Sequence, residues 1–341
     1  MTPTTTLSVP RLTEMVTGIL ADAGLSDLQA RTVAEVIVAG ERDACKSHGI
    51  YRIEGCLRTL RAGKVQGKAE PVLTDDGSAV IRVDARGAFS PAAFAIGAPV
   101  LAVRARELGI AALAINSCTH FSALWPEIEV LTDQGLAALA MCPSYATVAP
   151  AGGSRPLLGT NPLAFGWPRP GKPPYVFDFA TSVAARGEIE LHRRSGSPLP
   201  EGWAIDGDGA PTTDPTSALQ GAMLTFGGHK GSAISTMIEL LAGAMIGDLT
   251  SPEALDFLGS TDLLPHHGEL IIALSPEKFS AGRPGAAFDR AERLFEAIVG
   301  QGARLPSQRR FTARARSLAE GIDLTADEMA GLERLAQSVR S

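Results

Sequence analysis

Residues Lys46 to Arg52 read KSHGIYR, which sets three basic side chains, a hydroxyl and a glycine within seven positions. If the backbone turns helical at Ser47, a good N-cap, His48 and Arg52 lie four apart on one face. Stacked like charges repel by about 0.2–0.5 kcal/mol when the imidazole is protonated, so the pattern asks for an anion. A guanidinium fork matches both oxygens of a carboxylate and places it as well as attracting it. An imidazole with a pKa of about 6.5 can hand over a proton near neutral pH. Together they suit hydride reduction of a C=N or C=O bond, where the heteroatom needs a proton. The plainer alternatives are a histidine that caps a helix start and an arginine that is merely solvated.

Three further segments could hold phosphates. FGGHKGS, Phe226 to Ser232, carries His229 and Lys230 and precedes an apolar helix, whose N-terminus offers free N–H groups and a positive dipole end. THFSALW, Thr119 to Trp125, also leads into a helix, and RLPSQRR gathers Arg304, Arg309 and Arg310. Singly, each is as readily a loop or a solvated basic face. The G-x-G-x-x-G fingerprint and the G-x-x-x-x-G-K-[ST] loop are both absent. His266 and His267 have no cysteine or carboxylate cluster at ligand spacing, so they read as loop residues and no metal is expected.

Periodicity places these motifs. The first seventy residues read as helices, with a capping box at Ser26–Gln29. From about Ala79, strands (AVIRVDA, IAALAIN, LAALAMC, NPLAFGWP, YVFDFA, ELIIALS) alternate with helices near 90–109, 124–134, 183–194 and 230–245. The last fifty residues are helical, with a second capping box at Thr325–Glu328. Residues 193–215 form one long polar loop. The fold class is mixed α/β: a helical domain built from both termini (1–75 and 286–341, the latter packing back on the former) around an α/β region, 76–285, with an inserted helical subdomain.

The 341 residues suffice for two or three lobes, and the composition, 45% hydrophobic and 20% charged, is that of an ordinary globular chain. A net charge of −6 without a basic face argues against nucleic acid. Four cysteines lack a C-x-x-C pair, and no signal peptide or membrane span is legible, so a cytoplasmic protein with reduced thiols is expected.

Six motifs in order, SHGIYR, HFSALW, GTNPLAF, DFATS, GWAIDGDGAPTTDP and FGGHKGSAISTMIELLAG, resemble the malate/L-lactate dehydrogenase-like oxidoreductases from about Leu12 to Arg310. HFSALW and the run ARGEIE after ATS are most similar to that family's Δ1-piperideine-2-carboxylate/Δ1-pyrroline-2-carboxylate reductases. The resemblance implies a non-Rossmann nicotinamide-nucleotide domain within 76–285, a homodimer, and reduction of a cyclic imine carboxylate to L-proline or L-pipecolate. The alternative is a 2-hydroxy-acid dehydrogenase. By analogy His48 protonates the imine nitrogen, Ser47 and Glu188 orient the ring and refill its proton, and Arg52 and Thr160 hold the substrate carboxylate. Glu188 stands where the imine enzymes carry aspartate. The nucleotide would lie along His120, Phe121, Ser122, Ala123 and Leu124. It would also touch Asp178, Phe179 and Ala180, with His229 and Lys230 near phosphate. Arg304, Leu305, Pro306, Ser307, Gln308, Arg309 and Arg310 would reach the adenosine end. Ser307 and Gln308 replace the usual glycine and acid, which leaves NADPH favoured over NADH.

Overall fold

The computed structural model describes residues 4–281 and 283–340. Its centre is a seven-stranded mixed sheet in the order Val72–Thr74, Val80–Asp84, Ile110–Thr119, His266–Leu274, Ala137–Met141, Leu163–Trp167, Tyr175–Phe179. Within it Val80–Asp84 runs parallel to Ile110–Thr119, and every other neighbouring pair is antiparallel. Side chains alternate between two buried layers. Ile271 and Ala273 join Ile81, Val83, Leu113 and Ile115 beneath helices Ser90–Leu108 and Trp125–Thr132. Leu270 and Ile272 instead face Ile238 and Ala242. Burial on both faces is why these strands read as continuous apolar runs.

The chain ends meet. Thr4–Leu7 pairs antiparallel with Ile322–Thr325. Leu12, Val16 and Leu20 of helix Val9–Asp22 then share a core with Val33 and Ile37 of helix Asp27–Arg42 and with Leu324 and Leu332. Helix Pro284–Gly300 does not pack back on these N-terminal helices, as the sequence had suggested for everything after 286. It lies on the sheet's edge, where Phe295 stacks on Tyr175 at 5.1 Å and Arg169 Nε meets Glu292 Oε1 at 2.6 Å. The return to the N-terminal helices is made by helix Gln308–Glu320, through Asp43, and by helix Ala326–Ser338.

Two other expectations change. At Ser26 only half of the capping box forms: Ser26 Oγ accepts from Gln29 N–H at 3.4 Å. The Gln29 amide is drawn away to the loop backbone, donating to Gly67 O at 2.9 Å while accepting from Phe89 N–H at 3.1 Å. The polar stretch 193–215 is not wholly loop. Ala204–Ile205 and Pro211–Thr212 pair with each other, and Ala222–Met223 adds a third short strand. Asp206 closes the turn by accepting from Asp208 and Ala210 N–H at 3.0 and 2.9 Å. The GDG run is therefore a hairpin turn. At Thr325 the reciprocal box is complete, with Thr325 N–H donating to Glu328 Oε2 at 2.8 Å.

Candidate active site

The Lys46–Arg52 segment departs from the single helix read in the sequence. Lys46–His48 is one 3₁₀ turn, Gly49 has φ −90° and ψ −145°, and helix Tyr51–Arg61 begins only afterwards, so Ser47 is not its N-cap. A buried carboxylate imposes the break. Glu41 Oε1 accepts from Ile50 N–H at 2.9 Å, and its Oε2 meets Lys46 Nζ at 2.6 Å. A Cβ on Gly49 would stand 2.0 Å from Glu41 Oε1, so glycine is what admits that carboxylate.

The turn brings Ser47, His48 and Arg52 together. Arg52 Nε donates to the Ser47 carbonyl at 2.7 Å, which fixes the guanidinium and leaves its two Nη groups for a ligand. Ser47 Oγ lies 3.1 Å from His48 Nδ1. A hydroxyl donating to Nδ1 puts the ring hydrogen on Nε2, the nitrogen left for a substrate. Burial first, and the Arg52 charge second, lower the His48 pKa to about 4. The ring is therefore neutral near pH 7, and an anion seated on Arg52 removes the second of these causes.

Glu188 is not drawn to His48. Its Oε2 accepts from Ala185 N–H at 3.0 Å and caps its own helix, Arg186–Ser195. Thr160 is set by its neighbour. Fully buried Asn161, at φ 33°, donates from Nδ2 to Glu239 Oε1 at 2.7 Å and accepts at Oδ1 from Ser144 N–H at 3.0 Å. Glu239 reaches it from a π-helical turn, Glu239–Ala244, that extends helix His229–Ile238. The strained asparagine and the π turn are devices common at functional sites, and neither has a local sequence signature.

The segments assigned to a nucleotide gather around strand Tyr175–Phe179. Asp178 Oδ2 accepts from Leu124 and Trp125 N–H at 2.8 and 3.0 Å, so it caps the helix that follows His120–Leu124. Burial raises its pKa to about 6 against those two hydrogen bonds. Phe121 and Leu124 are buried, whereas Phe179 is 39% exposed and meets the Phe226 ring edge-on at 5.6 Å. Ala180 follows at the strand's end, and Ser182 bridges to Thr225. Beyond Phe226, His229 and Lys230 are exposed on the first turn of their helix. Ser307 Oγ donates to Val176 O at 2.7 Å, which ties the Arg304–Arg310 segment to the same strand. Within that segment Arg304, Gln308 and Arg309 are exposed and Leu305 is buried. Arg310 corrects the expectation: it is buried over the Trp125 ring at 4.1 Å and paired with Glu129 at 2.5 Å, so its charge is already matched inside the protein.

His266 and His267 are not loop residues. They open strand His266–Leu274, whose register shifts between His267 and Glu269. At the intervening Gly268 a Cβ would lie 2.5 Å from Ile246 Cδ1. A cysteine accompanies His267 in space, in a buried group with His120 and Cys142, and His120 also meets the buried carboxylates Glu127 and Glu269. His120 links this cluster to the turn, since the charges of His48 and Arg52 act on it. Sequence reasoning missed Glu127 and Glu269, which meet because helix Trp125–Thr132 packs on the sheet that holds strand His266–Leu274. The four cysteines are free thiols, and no helix among the described residues is long and apolar enough to cross a membrane.

The mixed sheet that carries this turn is that of a class of oxidoreductases. The chain belongs to the malate/L-lactate dehydrogenase family, whose model matches residues 7–333. Among its relatives, the Δ1-pyrroline-2-carboxylate reductase of Agrobacterium fabrum is 68% identical, covering 99% of this chain and 98% of the other. The Δ1-pyrroline-2-carboxylate/Δ1-piperideine-2-carboxylate reductase of Pseudomonas aeruginosa is 55% identical, covering 93% and 95%. The crystal structure of Δ1-piperideine-2-carboxylate reductase from Pseudomonas syringae superposes with a TM-score of 0.93 at 43% identity, over 97% of this chain and 99% of that one.

Proposed function

We propose that the protein reduces a cyclic imine carboxylate, Δ1-pyrroline-2-carboxylate or Δ1-piperideine-2-carboxylate, to L-proline or L-pipecolate with NADPH. The observation that carries this reading is the Ser47–His48–Arg52 turn, which offers a carboxylate fork beside a ring nitrogen bearing a transferable proton. Arg52 grips the substrate carboxylate and so fixes the ring's C=N carbon. His48 takes up a proton once that anion is seated, and Nε2 passes it to the imine nitrogen as the C=N bond becomes CH–NH. Thr160 adds a hydroxyl to the carboxylate. Glu188, engaged at Ala185, needs to rotate if it is to resupply His48.

The residues fit a nicotinamide dinucleotide. Lys230 and His229 are exposed cations at a helix start, Phe179 is partly exposed at the strand's end, and the Ser122 hydroxyl is buried without a partner. When bound, that cofactor supplies the hydride. Arg304 and Arg309 are the cations left to favour a 2′-phosphate. We read the scaffold as non-Rossmann, supported by the largely antiparallel sheet. The terminal helices then form one wall of the cleft and the sheet region the other. A homodimer is supported by Met237, Leu240 and Met245, 37%, 58% and 62% exposed along one helical stretch.

The test follows nicotinamide absorbance with each cyclic imine, pyruvate and oxaloacetate, under NADPH and NADH. Faster turnover of an imine with NADPH is expected. Faster turnover of pyruvate or oxaloacetate would reassign the protein to hydroxy-acid chemistry.

A further inference from the structure

Beneath His120 lies a set of groups that cannot satisfy one another as ordinary ions. Both oxygens of Glu127, both oxygens of Glu269, and Nε2 of His120 and of His267 are sealed from solvent without a hydrogen-bond partner. Side-chain atoms of His120, Glu127 and Glu269 lie within 4.8 Å of one another, and His120 Nε2 is 3.9 Å from Glu269 Oε1. Ionised carboxylates only accept. Two of them sealed together would leave four oxygens unmatched, at a cost of several kcal/mol by an order-of-magnitude reckoning of about 1–3 per orphaned group. At least one hydrogen must therefore reside within the cluster.

We propose that Glu127 and Glu269 share one proton as an acid–carboxylate pair whose carboxylate holds His120 with its hydrogen on Nε2. This rests on the function proposed above, since His120 faces the same site, and it makes the two glutamates positioning residues for that ring. Geometry assigns the roles. Glu269 Oε1 is the atom beside His120 Nε2, so the carboxylate belongs there and the acid O–H to Glu127. The surroundings agree. Burial raises the Glu127 carboxyl well above its usual range, and the negative neighbours Glu269 and Asp178 push the same way. On the far side, His267 Nδ1 donates to Gly268 O at 2.8 Å, so its Nε2 is a bare acceptor. The Cys142 thiol, which burial keeps protonated, lies within 4.8 Å of the His120 and His267 rings without bonding to either. With Nε2–H turned to Glu269, the other nitrogen of His120, Nδ1, is the acceptor of the ring.

The pair predicts an asymmetry that a purely structural role does not. In Glu127→Gln the amide N–H replaces the acid hydrogen and the carboxylate survives; in Glu269→Gln the carboxylate is gone. With 15N-histidine-labelled, ligand-free protein and His120→Asn to assign the signal, nitrogen–proton spectra should show His120 as the Nε2–H tautomer in the wild type and in Glu127→Gln, and should lose that preference in Glu269→Gln. Turnover should fall about tenfold in Glu269→Gln with an altered pH profile, and stay within about threefold in Glu127→Gln. The spectra involve no substrate, so a wrong substrate assignment leaves them unchanged. An Nδ1–H tautomer in the wild type, equal effects of the two variants, or a stoichiometric divalent metal in the purified protein would overturn the pair. The last of these needs no variant to fold, and the first needs only the His120→Asn protein that assigns the signal.

Discussion

At the scale of single residues, the proposed chemistry rests on an imidazole, His48, that is neutral in the free protein. The unfolded chain binds a proton at His48 below about pH 6.5, whereas the folded ring resists one until about 4. His48 therefore withdraws stability as pH falls through that window. His48→Ala should lower kcat by about 100-fold while leaving NADPH affinity intact. It should also soften the loss of stability between pH 7 and pH 5, read by urea unfolding. Collapse of cofactor affinity instead would remove His48 from the proton transfer. The turn's chemistry was legible because Ser47, His48 and Arg52 are neighbours in sequence. Glu41 and the cluster under His120 were not, because a lone buried acid looks like any surface acid until a strand or helix turns it inward.

At the scale of elements, β-branched and apolar runs marked the main strands to within a few residues. The errors fall where tertiary contacts overrule local preference. A serine followed by helix formers reads as an N-cap, but Glu41 enters the turn and Gly49 yields to it. Two histidines beside a proline read as a loop, but pairing with Thr119 and Cys118 of strand Ile110–Thr119 claims them. Ala44, just before the Lys46–His48 turn, is held at φ 57°. Left-handed backbone costs an alanine about 1–2 kcal/mol, partly offset by glycine's greater freedom when unfolded. Ala44→Gly should thus raise stability by about 0.5–1 kcal/mol, and a lowered urea midpoint would show that the turn's strain lies elsewhere.

At the scale of the whole molecule, a buried charge network clamps three parts of the chain. Asp43 ends helix Asp27–Arg42, Glu129 lies in helix Trp125–Thr132, and Arg310 and Arg314 come from helix Gln308–Glu320. The arginines stack over Trp125. Removing one partner strands the other's charge away from water, so Arg310→Ala should cost about 3–5 kcal/mol in urea unfolding. Arg309→Ala, an exposed neighbour, should leave stability unchanged and raise KM for NADPH. The reverse pattern would exchange their roles. Composition and spacing could not separate these two arginines, since only the third dimension decides which one finds acids.

The ion pair between Lys46 and Glu328, 3.1 Å apart, has a consequence for synthesis. Lys46 also grips Glu41, so one strut of the Lys46–Arg52 turn is supplied by helix Ala326–Ser338. The two partners are 282 residues apart in the chain. During synthesis the turn emerges long before that brace, and it gains its support only once the distant helix has been made and has folded back.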